Sequence, residues 1–180
     1  VDKIRTLAAA PDPALVPLVW HCIGPIQSNK TRLVAEHFDW VHTVDRLKVA
    51  QRLSEQRPAH LPPLQVCLQV NIDGGAAKSG ITPDAALELA HDVARLPRLT
   101  LRGLMTIPEP APDFASALAV HQATQRLFIS LRNALQADGG GAAFDTLSMG
   151  MSADLEAAIH AGSTLVRVGS AIFGGRAPAH

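Results

Sequence analysis

The chain has 180 residues, 47% of them hydrophobic, and its 16 basic and 16 acidic side chains leave no formal net charge. That composition describes one soluble domain with ample material for a core, and it offers nucleic acid no basic footprint. No apolar run approaches the length of a membrane span, no signal-peptide pattern opens the chain, and Cys22 and Cys67 read as buried reduced thiols suited to the cytoplasm.

Residues 1–10 already look like the middle of a helix, and Val1 is not a start methionine, so the chain is expected to be a piece of something longer. Pro11, Pro13 and Pro17 mark a loop. The run VWHCIG at residues 19–24 predicts a buried strand ending in a Gly-Pro turn. A short helix follows over 31–37, with Ser28 or Asn29 as its cap. The next strand spans 40–44, and Asp45 is expected to cap a helix over 46–56 whose apolar residues fall near helical spacing.

Residues 64–72, LQVCLQVNI, form a continuous apolar run rich in branched side chains, as in a parallel strand covered on both faces. A Gly-rich segment over 73–80 precedes a helix that starts at Thr82-Pro83-Asp84 and runs to about Leu96. A strand is expected over 99–107, then the longest helix over 114–137, ended by Gly139-Gly140-Gly141. Two further strands close the chain, before Ser148 and over 165–168. Six strands thus alternate with helices and turns without a hairpin signal, which argues for a parallel sheet. A barrel needs eight, so its first two strands would lie ahead of Val1; a doubly wound sheet is the fallback, although no GxGxxG follows the first strand.

Two anion cradles are predicted near the end. In Ser148-Met149-Gly150-Met151-Ser152, Ser152 suits a helix N-cap ahead of Asp154 and Glu156, where free N–H groups favour phosphate. Gly169-Ser170 follows a strand directly, its glycine allowing close approach of a ligand. Each piece alone reads more often as a plain cap or turn. Together, on the last two strands of a barrel-like alternation, they point to a phosphate-bearing ligand. Arg167 lies two residues before Gly169 and shares its strand face.

The segments WHCIGPIQSNK (20–30), KSG (78–80), RGLM (102–105), SMGMSAD (148–154) and VRVGSAIFG (166–174) resemble, in order and spacing, the pyridoxal-phosphate homeostasis protein family. Its members are similar to the N-terminal barrel of alanine racemase. The resemblance covers essentially the whole chain. It implies a single domain over 1–180, strands three to eight of a (β/α)8 TIM-type barrel lacking its first two strands. It also implies pyridoxal 5′-phosphate at the strands' C-terminal ends, with Ser152, Gly169 and Ser170 on the phosphate and Arg167 facing the pyridine nitrogen. Such proteins store or deliver the cofactor, with pyridoxal-phosphate-dependent apo-enzymes as recipients, and balance vitamin B6 and amino-acid pools. No firm catalytic activity attaches to the family, and its full-length members are expected to be monomers.

The chemistry at Arg167 follows directly: a guanidinium can only donate, so it favours an unprotonated ring, a poorer electron sink than a pyridinium. That suits a holder, or a restrained racemase, better than a transaminase. The family's cofactor-bonding lysine and its Gly-Glu-Asn segment lie on the first two strands and are absent here. Lys3 and Lys48 lie in helical patterns and Lys30 reads as a helix-start contact; Lys78, in a Gly-rich loop on the expected active face, is open as a secondary cofactor site.

An amino-acid racemase using the same cofactor is the enzymatic alternative, but its opposing base would be a tyrosine from a second domain, and this sequence has 0 tyrosines. A cofactor-free barrel enzyme acting on a phosphorylated metabolite would need Asp73 or His21 in its pocket. His21 reads either as a cofactor-stacking group or as a satisfied core histidine. The other histidines, among them His37, His42, His60, His91, His121 and His160, show no metal-ligand spacing, and no metal site is expected. Met105, Met149 and Met151 read as core or pocket wall, and no GxSxG elbow supports a hydrolase. Two missing strands would expose long sheet edges, so the chain alone is expected to aggregate or pair with another copy.

Overall fold

The computed structural model describes residues 1–9, 18–75 and 78–174. The predicted loop at Pro11, Pro13 and Pro17, and Ala76 and Ala77 of the Gly-rich segment, lie outside the described residues. Five strands, β1 (His21–Cys22), β2 (Trp40–Val44), β3 (Leu64–Gln69), β4 (Leu99–Met105) and β5 (Thr146–Ser148), form one sheet. Its order is that of the chain and every neighbouring pair is parallel. The sheet curls into a half-barrel. The helices are α1 (Asp2–Ala9), α2 (Thr31–His37), α3 (Leu47–Gln56), α4 (Ala86–Ala94), α5 (Phe114–Ala137), α6 (Leu155–His160) and α7 (Ser170–Phe173). Among the described residues no helix is long and apolar enough to cross a membrane.

The central strand β3 explains the arrangement. Leu64, Val66 and Leu68 alternate with Gln65, Cys67 and Gln69, and all but Gln65 are buried. Successive side chains point to opposite faces, so the branched set forms the core while the polar set lines the other face. That core takes in Val49, Ala50 and Leu53 of α3, Leu89, Ala90 and Val93 of α4, and Leu131 and Leu135 of α5. Each fully buried Leu or Val contributes about 1.5–3 kcal/mol. Phe144, 2% exposed, stacks on Phe128 with ring centroids 5.0 Å apart and closes the core beneath β4 and β5.

The second face of the sheet is polar, and two irregularities shape it. Register shifts occur between Val41 and Val44 and between Val66 and Cys67. At the second shift Cys67 stands opposite Gly103, whose φ is +156° and whose missing Cβ would lie 1.7 Å from the Thr146 carbonyl oxygen. Only glycine lets β4 and β5 approach so closely there.

Several elements differ from the sequence pattern. The ladder of β3 ends at Gln69, short of Ile72, because Val70 and Asn71 turn to pair with Ile81. The helix predicted from Arg46 starts at Leu47, and Asp45 pairs with the Arg46 guanidinium at 2.7 Å rather than capping the helix. Ser28 and Asn29 belong to a 3-10 turn that runs into α2, and neither caps it. The sixth strand is reduced to one parallel bridge between Ser148 and Leu165. Side chains take over its ladder: Thr164 Oγ1 accepts from Leu147 N–H at 2.8 Å, and Ser163 Oγ donates to the Met149 carbonyl at 2.7 Å. Arg167 N–H still reaches the Gly150 carbonyl at 2.9 Å, so residues 165–167 run alongside β5 without forming a regular strand. The helix over 114–137 is as the sequence predicts, with Asp113 accepting the Ser116 N–H as its cap.

Candidate functional site

The polar face of the half-barrel holds a hydrogen-bonded chain that crosses the sheet. His21 Nδ1 on β1 lies 2.8 Å from His42 Nε2 on β2, and His42 Nδ1 lies 2.9 Å from Ser148 Oγ on β5. Arg167 Nη1 donates to the same Ser148 oxygen at 2.8 Å, and its Nη2 donates to the Thr106 carbonyl at 2.8 Å. His42, Thr106 and Ser148 are wholly buried. At its far end the chain is anchored by aromatic packing: His21 stacks on Trp40 at 5.3 Å, and the Arg102 guanidinium covers Trp40 at 4.8 Å. Arg102 in turn grips Asp145 through both carboxylate oxygens, at 2.8 and 2.7 Å, and reaches Gln65 at 2.9 Å.

Burial sets the charge states along this face. Burial first, then repulsion from His21 and Arg167, pushes His42 down to about 4. Burial also lowers His21, against the pull of Asp39, and lowers Arg167, against Asp154. Burial pushes the Cys67 thiol up to about 12, which removes it as a nucleophile. A guanidinium only donates, so Ser148 accepts from Arg167 and its own proton is free for His42 Nδ1. His42 then carries its proton on Nε2, facing His21. This direction gives the His21–His42 and His42–Ser148 contacts one donor and one acceptor each, with both imidazoles neutral.

Two buried polar atoms have no partner among the described residues at this end of the chain: Arg167 Nε and Thr106 Oγ1. An orphaned buried donor costs about 1–3 kcal/mol unless something accepts from it. An uncharged aromatic nitrogen is one such acceptor, so a pyridine ring is compatible with the site.

Gly169 and Ser170 follow two and three residues after Arg167. Ser152 Oγ accepts the Ala171 N–H at 3.3 Å, which draws the two predicted cradles together. Gly169 and Ser170 are exposed, and nothing stands within 4 Å of where a Cβ on Gly169 would be. Ser152 is not the helix cap that the sequence suggests. The helix α6 begins at Leu155, because Asp154 Oδ1 accepts the Met151 N–H at 2.7 Å while its Oδ2 meets His121 Nε2 at 2.9 Å. Those bonds hold residues 151–154 as a turn and leave the Ser152 hydroxyl outside the helix. A hollow of about 440 Å³ opens beside Ser152, bounded by Leu155, Glu156, Ile159 and His160.

Lys78 Nζ donates to the Ile107 carbonyl at 2.9 Å and pairs with Glu109 at 3.2 Å and Asp73 at 3.4 Å. A hollow of about 200 Å³ separates it from Ile23, Pro25 and Gln69. Asp73 accepts the Glu109 N–H at 2.6 Å as well, so it is tied up in holding its loop. Asp73 therefore does not stand free as the acid or base that a cofactor-free enzyme would need, and His21 has only its Nδ1 engaged.

The sequence assigns His42, Thr106 and Ser148 no such role: His42 stands only among histidines without metal-ligand spacing, and Ser148 only opens the first cradle. The available signal was a histidine at the centre of the strand WVHTV, between apolar and β-branched neighbours.

Residues 8–177 match the family model for the alanine racemase N-terminal domain. The pyridoxal phosphate homeostasis protein of Vibrio cholerae is 58% identical over 176 residues, covering 98% of this chain and 71% of the relative. The one from Pseudomonas aeruginosa is 59% identical over 161 residues, covering 89% of this chain and 66% of the relative. Among solved structures, PipY of Synechococcus elongatus with pyridoxal phosphate bound superposes with a TM-score of 0.80 at 32% identity, over 96% of this chain and 76% of that one. Alanine racemase of Clostridium difficile shares the fold, with a TM-score of 0.64 at 15% identity, over 91% of this chain and 41% of that one. A parallel half-barrel with a half-buried arginine beside its last strand, matched at this level across nearly its whole length, belongs to the pyridoxal phosphate homeostasis proteins, within the family of alanine racemase N-terminal domains.

Proposed function

We propose that this chain binds pyridoxal 5′-phosphate and serves in cofactor homeostasis as a holder rather than a catalyst. The observation that carries the proposal is the Arg167 guanidinium, fixed by Ser148 and Thr106 with its buried Nε left unpartnered. In this reading Arg167 faces the pyridine nitrogen, and Ser152, Gly169 and Ser170 receive the phosphate. When bound, the cofactor supplies an aldehyde reactive toward amines and a ring that withdraws electrons. A donor at the ring nitrogen keeps that ring neutral and restrains the withdrawal. The PipY structure with pyridoxal phosphate bound supports the ligand's identity.

The described strands, with the extended segment after them, correspond to the third to eighth strands of the family barrel in this proposal. Recipients of the cofactor are pyridoxal-phosphate-dependent apo-enzymes, and the compartment is the cytoplasm, where the free thiols of Cys22 and Cys67 stay reduced. Self-association of the chain is favoured by its exposed apolar side chains, among them Ile159 (55%), Ile172 (67%) and Phe173 (85%).

Calorimetric titration with pyridoxal phosphate tests the function. Saturable binding that is weakened in Arg167→Met and Ser152→Ala is expected. Absence of binding, or equal competition by simple sugar phosphates, would overturn it in favour of a cofactor-free phosphate binder.

A further inference from the structure

The polar chain contains more than is needed to place a guanidinium. Arg167 has five N–H groups, and the two terminal nitrogens are engaged by Ser148 Oγ and the Thr106 carbonyl, both at 2.8 Å. Neither of those acceptors is soft. The Thr106 carbonyl is part of the backbone just past β4, and Ser148 is the last residue of β5. The Ser148 hydroxyl, however, can rotate. Its orientation is set by where its own proton goes, and the atom in line for it is His42 Nδ1 at 2.9 Å.

His42 is itself held. It is wholly buried on β2, its Nε2 lies 2.8 Å from His21 Nδ1, and its ring packs 5.1 Å from His21 and 5.8 Å from Trp40. The chain therefore runs in one direction from Arg167 through Ser148 and His42 to His21. It fixes which nitrogen of the guanidinium is left over. That nitrogen is Nε, buried and unpartnered.

We propose that His42 is a positioning residue which, through Ser148, aims the Arg167 Nε–H and so makes the site select an uncharged aromatic ring nitrogen. The inference rests on the pyridoxal phosphate reading and deepens it. A neutral pyridine accepts the Nε–H. A pyridinium presents a donor to a donor and a charge to a charge. A ring with C–H in place of nitrogen leaves the donor unsatisfied. Without an acceptor at the His42 position, the Ser148 proton turns elsewhere, the Nη1 bond loosens, and the guanidinium redistributes its bonds. Ring discrimination is then lost although the arginine remains. Selection of this kind comes from a buried polar group that one ligand satisfies and another does not.

The test compares two ligands that lack an aldehyde and so need no lysine: 4′-deoxypyridoxine 5′-phosphate and its deaza counterpart with C–H at the ring-nitrogen position. Dissociation constants are measured by calorimetry for the chain and for His42→Phe, His42→Asn and Ser148→Ala. The chain is expected to prefer the pyridine ligand by roughly tenfold, the worth of one buried hydrogen bond. His42→Phe and Ser148→Ala are expected to bring the two ligands within about twofold, while His42→Asn, whose Oδ1 stands where Nδ1 did, retains the preference. A merely structural role would weaken both ligands together and leave their ratio intact. Should His42→Phe fail to fold, Ser148→Ala, a smaller change at the next link, decides the matter. A preference that survives both substitutions overturns the proposal, and equal binding of the two ligands by the unaltered chain overturns it while leaving the cofactor reading in place. Failure of the unaltered chain to bind either ligand removes the cofactor reading and the proposal with it.

Discussion

His42 Nδ1 and Ser148 Oγ meet at 2.9 Å across 106 residues of sequence, inside a half-barrel where both side chains are shut off from water. This contact joins the second strand of the sheet to the fifth and passes on to Arg167. Its strength depends on His42 staying neutral, and burial pushes it down to about 4, with His21 and Arg167 opposing a further positive charge.

That neutrality makes stability depend on pH. The unfolded chain takes up the His42 proton near pH 6.5, while the folded chain refuses it until about 4. Stability is therefore full above pH 6.5, falls as pH drops toward about 4, and levels off below; the total loss is at most about 3 kcal/mol. Urea unfolding midpoints at pH 7, 5.5 and 4 check this, and His42→Asn is expected to flatten the profile. Asp73 and Asp145, both held below the usual carboxylate range, lose their contribution at lower pH and leave the window distinct.

Gly103→Ala tests the bulge that sets the polar face. The added methyl would lie 1.7 Å from the Thr146 carbonyl oxygen, and β4 would have to separate from β5. A loss of about 3 kcal/mol or more is expected, read as a fall in denaturation midpoint or in soluble yield. A native-like midpoint would show that the strands are less tightly apposed.

Phe144→Ala tests the core beneath the site. Phe144 is 2% exposed and stacked on Phe128, so truncation leaves a cavity and costs about 3–5 kcal/mol in equilibrium unfolding. Phe144→Leu is expected to cost less than half as much, since it refills most of that volume.

Ser152→Ala and Ser170→Ala test the phosphate end. Each is expected to weaken pyridoxal phosphate about three- to tenfold, the worth of one hydrogen bond to a charged oxygen, without altering the melt. Because Ser152 Oγ accepts the Ala171 N–H, the double variant is expected to depart from additivity. Strictly additive losses would mean that the two turns act separately.

Phe173→Ser tests self-association. Sedimentation velocity of the chain is expected to show a concentration-dependent shift that this substitution reduces, because Phe173 is 85% exposed. An unshifted monomer boundary at all concentrations would rule out that face.

Much of the scaffold is determined locally. Alternation of apolar runs with helical patterns is enough for β2, β3, β4 and α5, whose termini fall within a few residues of expectation. Arg167 and the turns at Ser152 and Gly169-Ser170 stand out in the sequence because glycine, serine and arginine follow apolar runs, a pattern in which free backbone groups can take an anion. The segment over 165–168 reads as a strand by composition, yet Ser163 and Thr164 replace its ladder with side-chain bonds. Periodicity carries no trace of that exchange. The chain from His21 to Arg167 is decided by tertiary structure alone. Its members lie on β1, β2, β5 and the segment beyond, and register shifts after Val41 and Val66 change which side chains face inward. Hydrogen bonds between strands depend on alignment to a few tenths of an ångström, and that alignment arises only when the whole sheet has closed around its core.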